Sequence, residues 1–513
     1  MIFSETTLPF LLLTPPGAAL LLLIYGALRR GRRPGDGGAP ALGSGPPRLI
    51  QILAAIGFLP PLLHAAAFCL LFPDAAKTAD GYAWAVDLPA GIPGFATLSL
   101  GLDATSLPLF LLAALVGAAA GMGAASSPVT AKPLYLALLL FVFSGALAMF
   151  ATSDLVFAYF FHEATLVPAF LLILYWGGQG RRAAAIQMAV YLTFGAMLLL
   201  AALLLAVGHA GSSHIPTVRE AFGTMPLESA RWASGLLLLG TAIPAALFPF
   251  HSWAPPTYAE APTPLSMLHA GVLKKFGFYL LLLLLPGFQR EALAPWADVL
   301  YWLALGNILL LGATTLGQHH LKEMLASSSV AHMGLCYLGV YVMTSAPGTP
   351  LSAAASGSIL LYMVGHGLAA AALFLLTHSI RIRVGVLEFG SAGGLAKPFP
   401  LLAAFFVAAS MASVGLPGFV GFWGELGIYT SLQDLPPWKL LPALAGIVIS
   451  AVYMLRASAR FFFGPENLPP PPATFPPSPP LLRRDLMPME RLTAFLLLAS
   501  MLLAGFFPKL LQF

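Results

Sequence analysis

The chain has 513 residues, 58% of them hydrophobic and only 9% charged. A soluble domain carries roughly 25% charged residues, and 25 basic with 20 acidic side chains cannot cover an aqueous surface of this size. That excludes an ordinary soluble enzyme, a nucleic-acid binder and a disordered chain, and it makes lipid the main solvent.

Continuous apolar runs of about twenty residues, without the alternation of a barrel strand, read as membrane-crossing helices. In chain order they fall at 8–28, 50–72, 103–124, 134–152, 153–175, 185–208, 233–250, 263–286, 298–318, 325–345, 354–380, 398–419, 438–460 and 489–511. The expectation is an all-α integral membrane protein of about fourteen transmembrane helices. Assigning the connections alternately to two sides puts 17 of the 25 basic residues, Arg32, Arg181 and Arg381 among them, on one side. The other side receives 6, and the remaining 2, Lys274 and Lys275, lie within a span. Basic residues collect in cytoplasmic loops, so both termini are expected outside. The first residues, MIFSETTLPF, lack the basic start of a secretory signal, and the first span is expected to be retained. Cys69 and Cys336 sit in apolar runs and suggest neither a disulfide nor a metal site. Residues 31–47 are rich in Gly and Pro, and 465–480 read as an extended polyproline stretch; both are expected to be stiff cytoplasmic spacers.

Two spans carry helix breakers. AIPAALFPFHSWAPP places Pro244, Pro249, Pro255 and Pro256 in and after the seventh, and SVGLPGFVGFWGE places Gly415, Pro417, Gly418 and Gly421 in the twelfth. Proline removes a helical hydrogen bond and clashes with the preceding turn, and backbone opened at membrane depth must be buried in protein or line a wet cavity. Pro249 and Pro417 are 168 residues apart, and His332 follows Glu163 by 169. Paired interruptions at one offset point to a duplicated unit. The expected organisation is three N-terminal helices (1–133), two inverted five-helix repeats (134–286 and 298–460), a Pro-rich cytoplasmic loop (461–488) and a last helix (489–513).

Ionisable groups inside apolar spans cost roughly 2.5–3.5 kcal/mol each, so each needs a reason. They are Glu163 with its neighbour His162, Lys274 and Lys275, His332, His366 and Glu425, together with His64 and His269. Desolvation raises a carboxylate's pKa and lowers that of lysine or histidine, while an opposite charge pulls each back. A row of such groups with water between them can pass protons. The bland alternatives stand beside this. His64, His162, His251 and His269 read as packing histidines, Asp103 and Asp154 as helix caps, and Lys322 in QHHLKEM as interfacial or as a point of cytoplasmic proton uptake.

Five motifs in order, SDLVFAYFFHEATLVPAFLL, FPFHSWAPPTYAEAPTPLSMLHAGVLKKFG, HHLKEMLASSSVAHMG, MVGHGLAAAALF and GLPGFVGFWGELG, resemble the antiporter-like subunits of respiratory complex I, the NADH-quinone oxidoreductase. The resemblance covers about 95–460 and is nearest to the subunit M group (mitochondrial subunit 4 type). Glu425 stands where the L and N groups and the Mrp-type antiporters look to lysine. The resemblance implies a fourteen-helix fold with two inverted repeats in a bacterial cytoplasmic membrane, working beside L-like and N-like neighbours. It implies proton translocation driven by quinone reduction elsewhere, through a relay of Glu163, Lys275, His332, His366 and Glu425. It also implies that flavin, iron–sulfur clusters and quinone reside on other subunits, with no cofactor on this chain.

One departure stands out. The family's seventh-span break reads A-I-K-x-P-L-F-P-x-H, and its lysine pairs with the fifth-span glutamate; here Pro244 occupies that place. Lys274, about 100° round the helix from Lys275, is the expected compensating cation. A cation/proton antiporter, a hydrogenase-type subunit and a non-conducting scaffold paralogue remain as alternatives.

Overall fold

The computed structural model describes residues 6–30, 48–92, 95–127, 129–468 and 484–511. The 31–47 connection and the 469–480 part of the polyproline stretch lie outside the described residues.

The first half of the chain holds α1 (Thr7–Arg30), α2 (Arg48–Leu71), α3 (Ser106–Ser126), α4 (Lys132–Ala148), α5 (Leu155–Ala164), α6 (Leu166–Trp176) and α7 (Arg181–Ala210). After these come α8 (Ile215–Ala221), α9 (Leu227–Ala242), α10 (Ala254–Glu260), α11 (Thr263–Leu268) and α12 (Lys275–Leu284). The second half continues with α13 (Arg290–Leu305), α14 (Gly312–Gly317), α15 (Leu321–Ala331), α16 (Met333–Ser345) and α17 (Pro350–Val384). The last four are α18 (Pro400–Ser413), α19 (Val420–Ser431), α20 (Pro437–Phe462) and α21 (Pro488–Phe506). Among the described residues eleven helical stretches are long and apolar enough to cross a bilayer, and α4 and α18 are shorter apolar helices. Helix occupies every one of the fourteen segments expected from the sequence.

The helices sort by burial. The stretches Thr263–Gly287 and Leu321–Ser345 are buried along their whole apolar length, and α17 almost so, whereas α1, α2, α7, α20 and α21 bury less than half of theirs. Phe10, Leu63, Val190, Leu441 and Phe506 point outward from those outer helices, which is where acyl chains take the place of water. Lys274, Lys275, His332 and His366 all belong to the buried central layer.

One element outside the spans was not legible in the sequence. Strands β1 (Ala83–Ile92) and β2 (Phe95–Leu102) form an antiparallel hairpin pairing Val86 with Leu100 and Leu88 with Leu98. Its irregular register near Pro89 breaks the alternation by which a strand is recognised. The hairpin leads into Asp103, which accepts from the backbone N–H groups of Thr105 and Ser106 at the start of α3. Burial pushes the Asp103 carboxyl up, and the donors of Ser106 and Thr105 oppose that shift. Asp154 caps α5 by accepting from the N–H groups of Val156 and Phe157. Both aspartates satisfy helix-start donors that lipid could not.

The helix that begins with α9 stops at Ala242, and residues 243–253 are non-helical. Pro255 and Pro256 then occupy the first turn of α10, where a missing N–H costs nothing. The freed backbone groups find partners from within the protein. The side chain of Asn307, fully buried, accepts from the N–H of Phe248 at 2.6 Å and donates to the carbonyls of Ala246 at 3.1 Å and Val330 at 2.9 Å. Trp253 donates its indole N–H to the carbonyl of Ile243 at 2.9 Å. Asn307 itself sits in a π turn, Gly306–Leu311, so one amide ties the break to the second half of the chain. Asn307→Leu strips these groups of their partner at membrane depth and should cost about 3 kcal/mol. A thermal unfolding midpoint in detergent unchanged from the parent would refute this.

Candidate functional site

The site is built around Lys275, the first residue of α12, which follows a π turn at His269–Leu273. A π turn leaves a carbonyl free of its helical partner. Here the Lys275 Nζ donates to the carbonyl of Ala270 at 2.6 Å and to Nδ1 of His366 at 2.9 Å. The short reach from α12 to α17 depends on glycine on both sides of His366. A Cβ on Gly367 would meet the Gly271 carbonyl at 2.5 Å, and one on Gly365 would meet the Gly421 backbone at 2.6 Å. The Gly365–His366–Gly367 triplet thus lets α17 touch the π turn with one edge and α19 with the other.

The rings of His366 and His332 lie 5.7 Å apart between centroids. Both line a cavity of about 10 Å³ that also reaches Ser328, Ser329 and Ser413, at the lower bound for one water. His332 contacts two tyrosines: its Nδ1 is 2.7 Å from the Tyr362 hydroxyl and its Nε2 is 3.0 Å from the Tyr453 hydroxyl. Ser328 donates to Tyr453 at 3.2 Å. A neutral imidazole has one donor and one acceptor. The consistent direction is therefore Ser328 to Tyr453, Tyr453 to His332 Nε2, and His332 Nδ1–H to Tyr362. Tyr362, Tyr453 and His332 in turn line a cavity of about 30 Å³ with Tyr429, Ser450 and Glu425, roomy enough for roughly two waters.

Glu425 reaches that cavity because the chain is broken between α18 and α19 at residues 414–419. Gly415 has φ +81°, and a Cβ there would meet Glu425 Oε2 at 2.1 Å. Gly418, at φ +102°, is the second left-handed residue of the break, and Pro417 lies between the two. Trp423, two residues before Glu425, donates its indole N–H to the Gly505 carbonyl of α21 at 2.7 Å.

The structure thus brings Lys275, His366, His332 and the Glu425 cavity into one string. Glu163 is not in it. Its Oε1 lies 2.9 Å from Nδ1 of His162 on the same helix. Lys274, the expected compensating cation, makes no ion pair within 4 Å among the described residues: its Nζ donates to the Ser329 carbonyl at 3.2 Å and hydroxyl at 3.1 Å and stands 4.8 Å over the Tyr258 ring. Its position at the end of the π turn aims it at α15 rather than at α5. Pro244 is buried in the first break, and Pro249 follows Phe248, whose N–H Asn307 holds. Lys322 is buried within the protein, and it donates to the Ala261 carbonyl at 2.6 Å between α10 and α11. His64 is a packing residue, its Nδ1 2.8 Å from the Pro60 carbonyl. Sequence reasoning missed Tyr362 and Tyr453. Tyr362 precedes His366 by one helical turn and was legible as its same-face neighbour; nothing in the sequence signals Tyr453.

With this geometry in place, comparison with known proteins is decisive. Residues 152–450 match the family described as NADH:quinone oxidoreductase/Mrp antiporter, TM. The chain belongs to this family. Among its relatives is the NAD(P)H-quinone oxidoreductase chain 4 1 of Synechococcus sp. (strain JA-3-3Ab), 35% identical over 448 residues, 85% of this chain and 80% of the relative. A chain of respiratory complex I from Thermus thermophilus superposes with a TM-score of 0.76 at 28% identity, covering 96% of each. A chain of the Mrp complex of Dietzia sp. DQ12-45-1b shares the fold with a TM-score of 0.79 at 20% identity, over 99% of this chain and 95% of that one. Family membership and the apolar helices make this a multi-pass integral membrane protein.

Gly415→Ala tests how the second break positions the carboxylate. A left-handed alanine costs about 1–2 kcal/mol, and its methyl would occupy the space of Glu425 Oε2. The expected outcome is a lower unfolding midpoint and an altered Glu425 carboxyl band in infrared difference spectra. An unshifted band would show that Gly415 does not hold the carboxylate.

Proposed function

We propose that this chain is a proton-translocating membrane-arm subunit of a complex I-type NAD(P)H–quinone oxidoreductase. Supporting this are the named relatives and one observation above the rest. Lys275, His366, His332, Tyr362 and the Glu425 cavity form a buried succession of hydrogen bonds and water-sized spaces. Protons enter from the cytoplasm past Lys322 toward Glu163 and Lys275. They cross by His366 and His332 and leave through the cavity to Glu425.

The transfers from Lys275 to His366 and from His332 to Tyr362 use groups already hydrogen-bonded. Lys275 presents an N–H to the His366 lone pair, so a proton moving to Nδ1 breaks no ion pair. A proton reaching His332 reverses its hydrogen bonds to Tyr362 and Tyr453 and so appears on the cavity side. Flavin, iron–sulfur clusters and the quinone site belong on this reading to other subunits, and the membrane neighbours are L-like and N-like chains. The charge asymmetry of the connections supports fourteen crossings of a bacterial cytoplasmic membrane with both termini outside. The interruptions after α9 and after α18 support two inverted five-helix repeats.

The test is proton translocation per quinone reduced, measured with the assembled complex in vesicles. Lys275→Ala and Glu425→Gln should each remove most of the translocation. Tyr362→Phe, which deletes only the hydroxyl, should lower it about tenfold or more, the scale of a lost proton-transfer group. Parental translocation in Lys275→Ala and Glu425→Gln alike would leave the chain a non-conducting scaffold.

A further inference from the structure

Glu425, the acid of the second cavity, has no hydrogen-bond or ion-pair partner among the described residues. With no donor holding the carboxylate, its direction depends on how α19 is seated. One face of α19 lies on α17. A Cβ on Gly424 would meet the Tyr362 Cα at 2.6 Å, and one on Gly427 would meet the Ser358 Cβ at 2.9 Å, in line with the contact between Gly421 and Gly365. Small residues let helix backbones approach closely in a membrane. They also put no α19 side chain between the two helices. The rotation of α19 about its own axis is therefore set by what its other faces grip.

Among the described residues, two side chains of α19 donate hydrogen bonds to other helices. The Tyr429 hydroxyl reaches the Ala443 carbonyl of α20 at 3.3 Å. The Trp423 indole reaches the Gly505 carbonyl of α21 at 2.7 Å and is the shorter of the two. Gly505 is also where α21 touches the break itself: a Cβ there would meet the carbonyl carbon of Gly418 at 2.6 Å and that of Phe419 at 2.7 Å. At the other end of α21, Glu490 accepts from Arg383 at 3.0 and 2.6 Å and from the Ser379 hydroxyl at 2.6 Å, both on α17. The last helix is thus fastened to α17 at one end and to the second break at the other. Residues two apart on a helix point about 200° apart. A grip on Trp423 therefore turns Glu425 to the opposite side of α19, into the cavity.

We propose that Trp423 is a positioning residue for Glu425: its hydrogen bond to Gly505 fixes the rotation of α19 on α17 and so aims the carboxylate at the cavity shared with His332 and Tyr362. This rests on the relay reading. Trp423 carries no proton and acts through the backbone of α19. The break is what makes such a pin necessary. In a continuous helix α18 would set the rotation of α19, but residues 414–419, with left-handed Gly415 and Gly418, uncouple the two.

The assembled complex tests this with Trp423→Phe, which keeps a ring and deletes the N–H. Trp253→Phe is the matched control, since it deletes an indole hydrogen bond of 2.9 Å to the backbone of the first break. The readouts are the Glu425 carboxyl band in infrared difference spectra, assigned by its loss in Glu425→Gln, and translocation per quinone reduced in vesicles. Trp423→Phe should move the band and lower translocation about tenfold, within the scale of a reacting group displaced by roughly 1 Å. Trp253→Phe should lower the unfolding midpoint and leave the band at its parental frequency. A parental band or parental translocation in Trp423→Phe overturns the proposal. An equal band shift in Trp253→Phe also overturns it, because the effect would then be a general loosening. Glu425→Gln, run alongside, separates the two readings. Parental translocation there overturns the relay and the pin with it, whereas its loss beside a parental band in Trp423→Phe overturns the pin alone.

Discussion

Lipid offers no hydrogen bonds, so every polar group placed at membrane depth must be answered by the protein itself. The structure meets that constraint at the places where it departs from regular helix. Asn307 answers the break after Ala242, and it reaches across to the Val330 carbonyl two residues before His332. The π turn at His269–Leu273 frees the Ala270 carbonyl, and Lys275 takes it. The irregular backbone and the ionisable side chains are therefore parts of one network. Removing a member of either kind leaves the other unsatisfied.

The same constraint explains what the sequence made legible. A twenty-residue apolar run has few alternatives in lipid, and all fourteen expected segments hold helix. Proline and glycine clusters mark the openings after Ala242 and after Ser413, whereas Pro15 and Pro16 in α1 and Pro60 and Pro61 in α2 lie within unbroken helix. The ionisable residues were also visible one by one, since each is an exception in an apolar run. Their pairings were not. Lys274 and Lys275 stand about 100° apart on a helix, and that much follows from spacing. Which neighbour each face meets depends on how α15 and α17 pack, and one lysine ends on Ser329 while the other ends on His366. His162 looked like a packing histidine, and it does stack on Phe276, but the same ring holds Glu163. Tyr453 enters the site from a helix 121 residues further along the chain, a distance over which periodicity carries no information.

The acids and bases are also segregated. Lys274, Lys275, His332 and His366 occupy the buried central layer, and no carboxylate lies within 4 Å of them among the described residues. Backbone carbonyls, hydroxyls and one another's lone pairs hold them instead. The acids stand at the margins, Glu163 beside His162 and Glu425 across a cavity from His332. Burying the centre without counter-ions has a cost in stability, since any charge the layer carries is desolvated and held only by dipoles and lone pairs.

It has a larger consequence for transfer. Two unit charges at the 5.7 Å that separates the His332 and His366 rings repel by about 3 kcal/mol at an effective dielectric constant of roughly 20. That is about two powers of ten in occupancy, so the pair holds one extra proton far more readily than two. On the relay proposed above, a proton arriving at His366 from Lys275 would displace the one on His332 toward Tyr362 and the Glu425 cavity. With carboxylates between them the two imidazolium charges would be neutralised independently, and the arrival of one proton would not compel the departure of another. The central bases act on one another because the acids are kept at the ends.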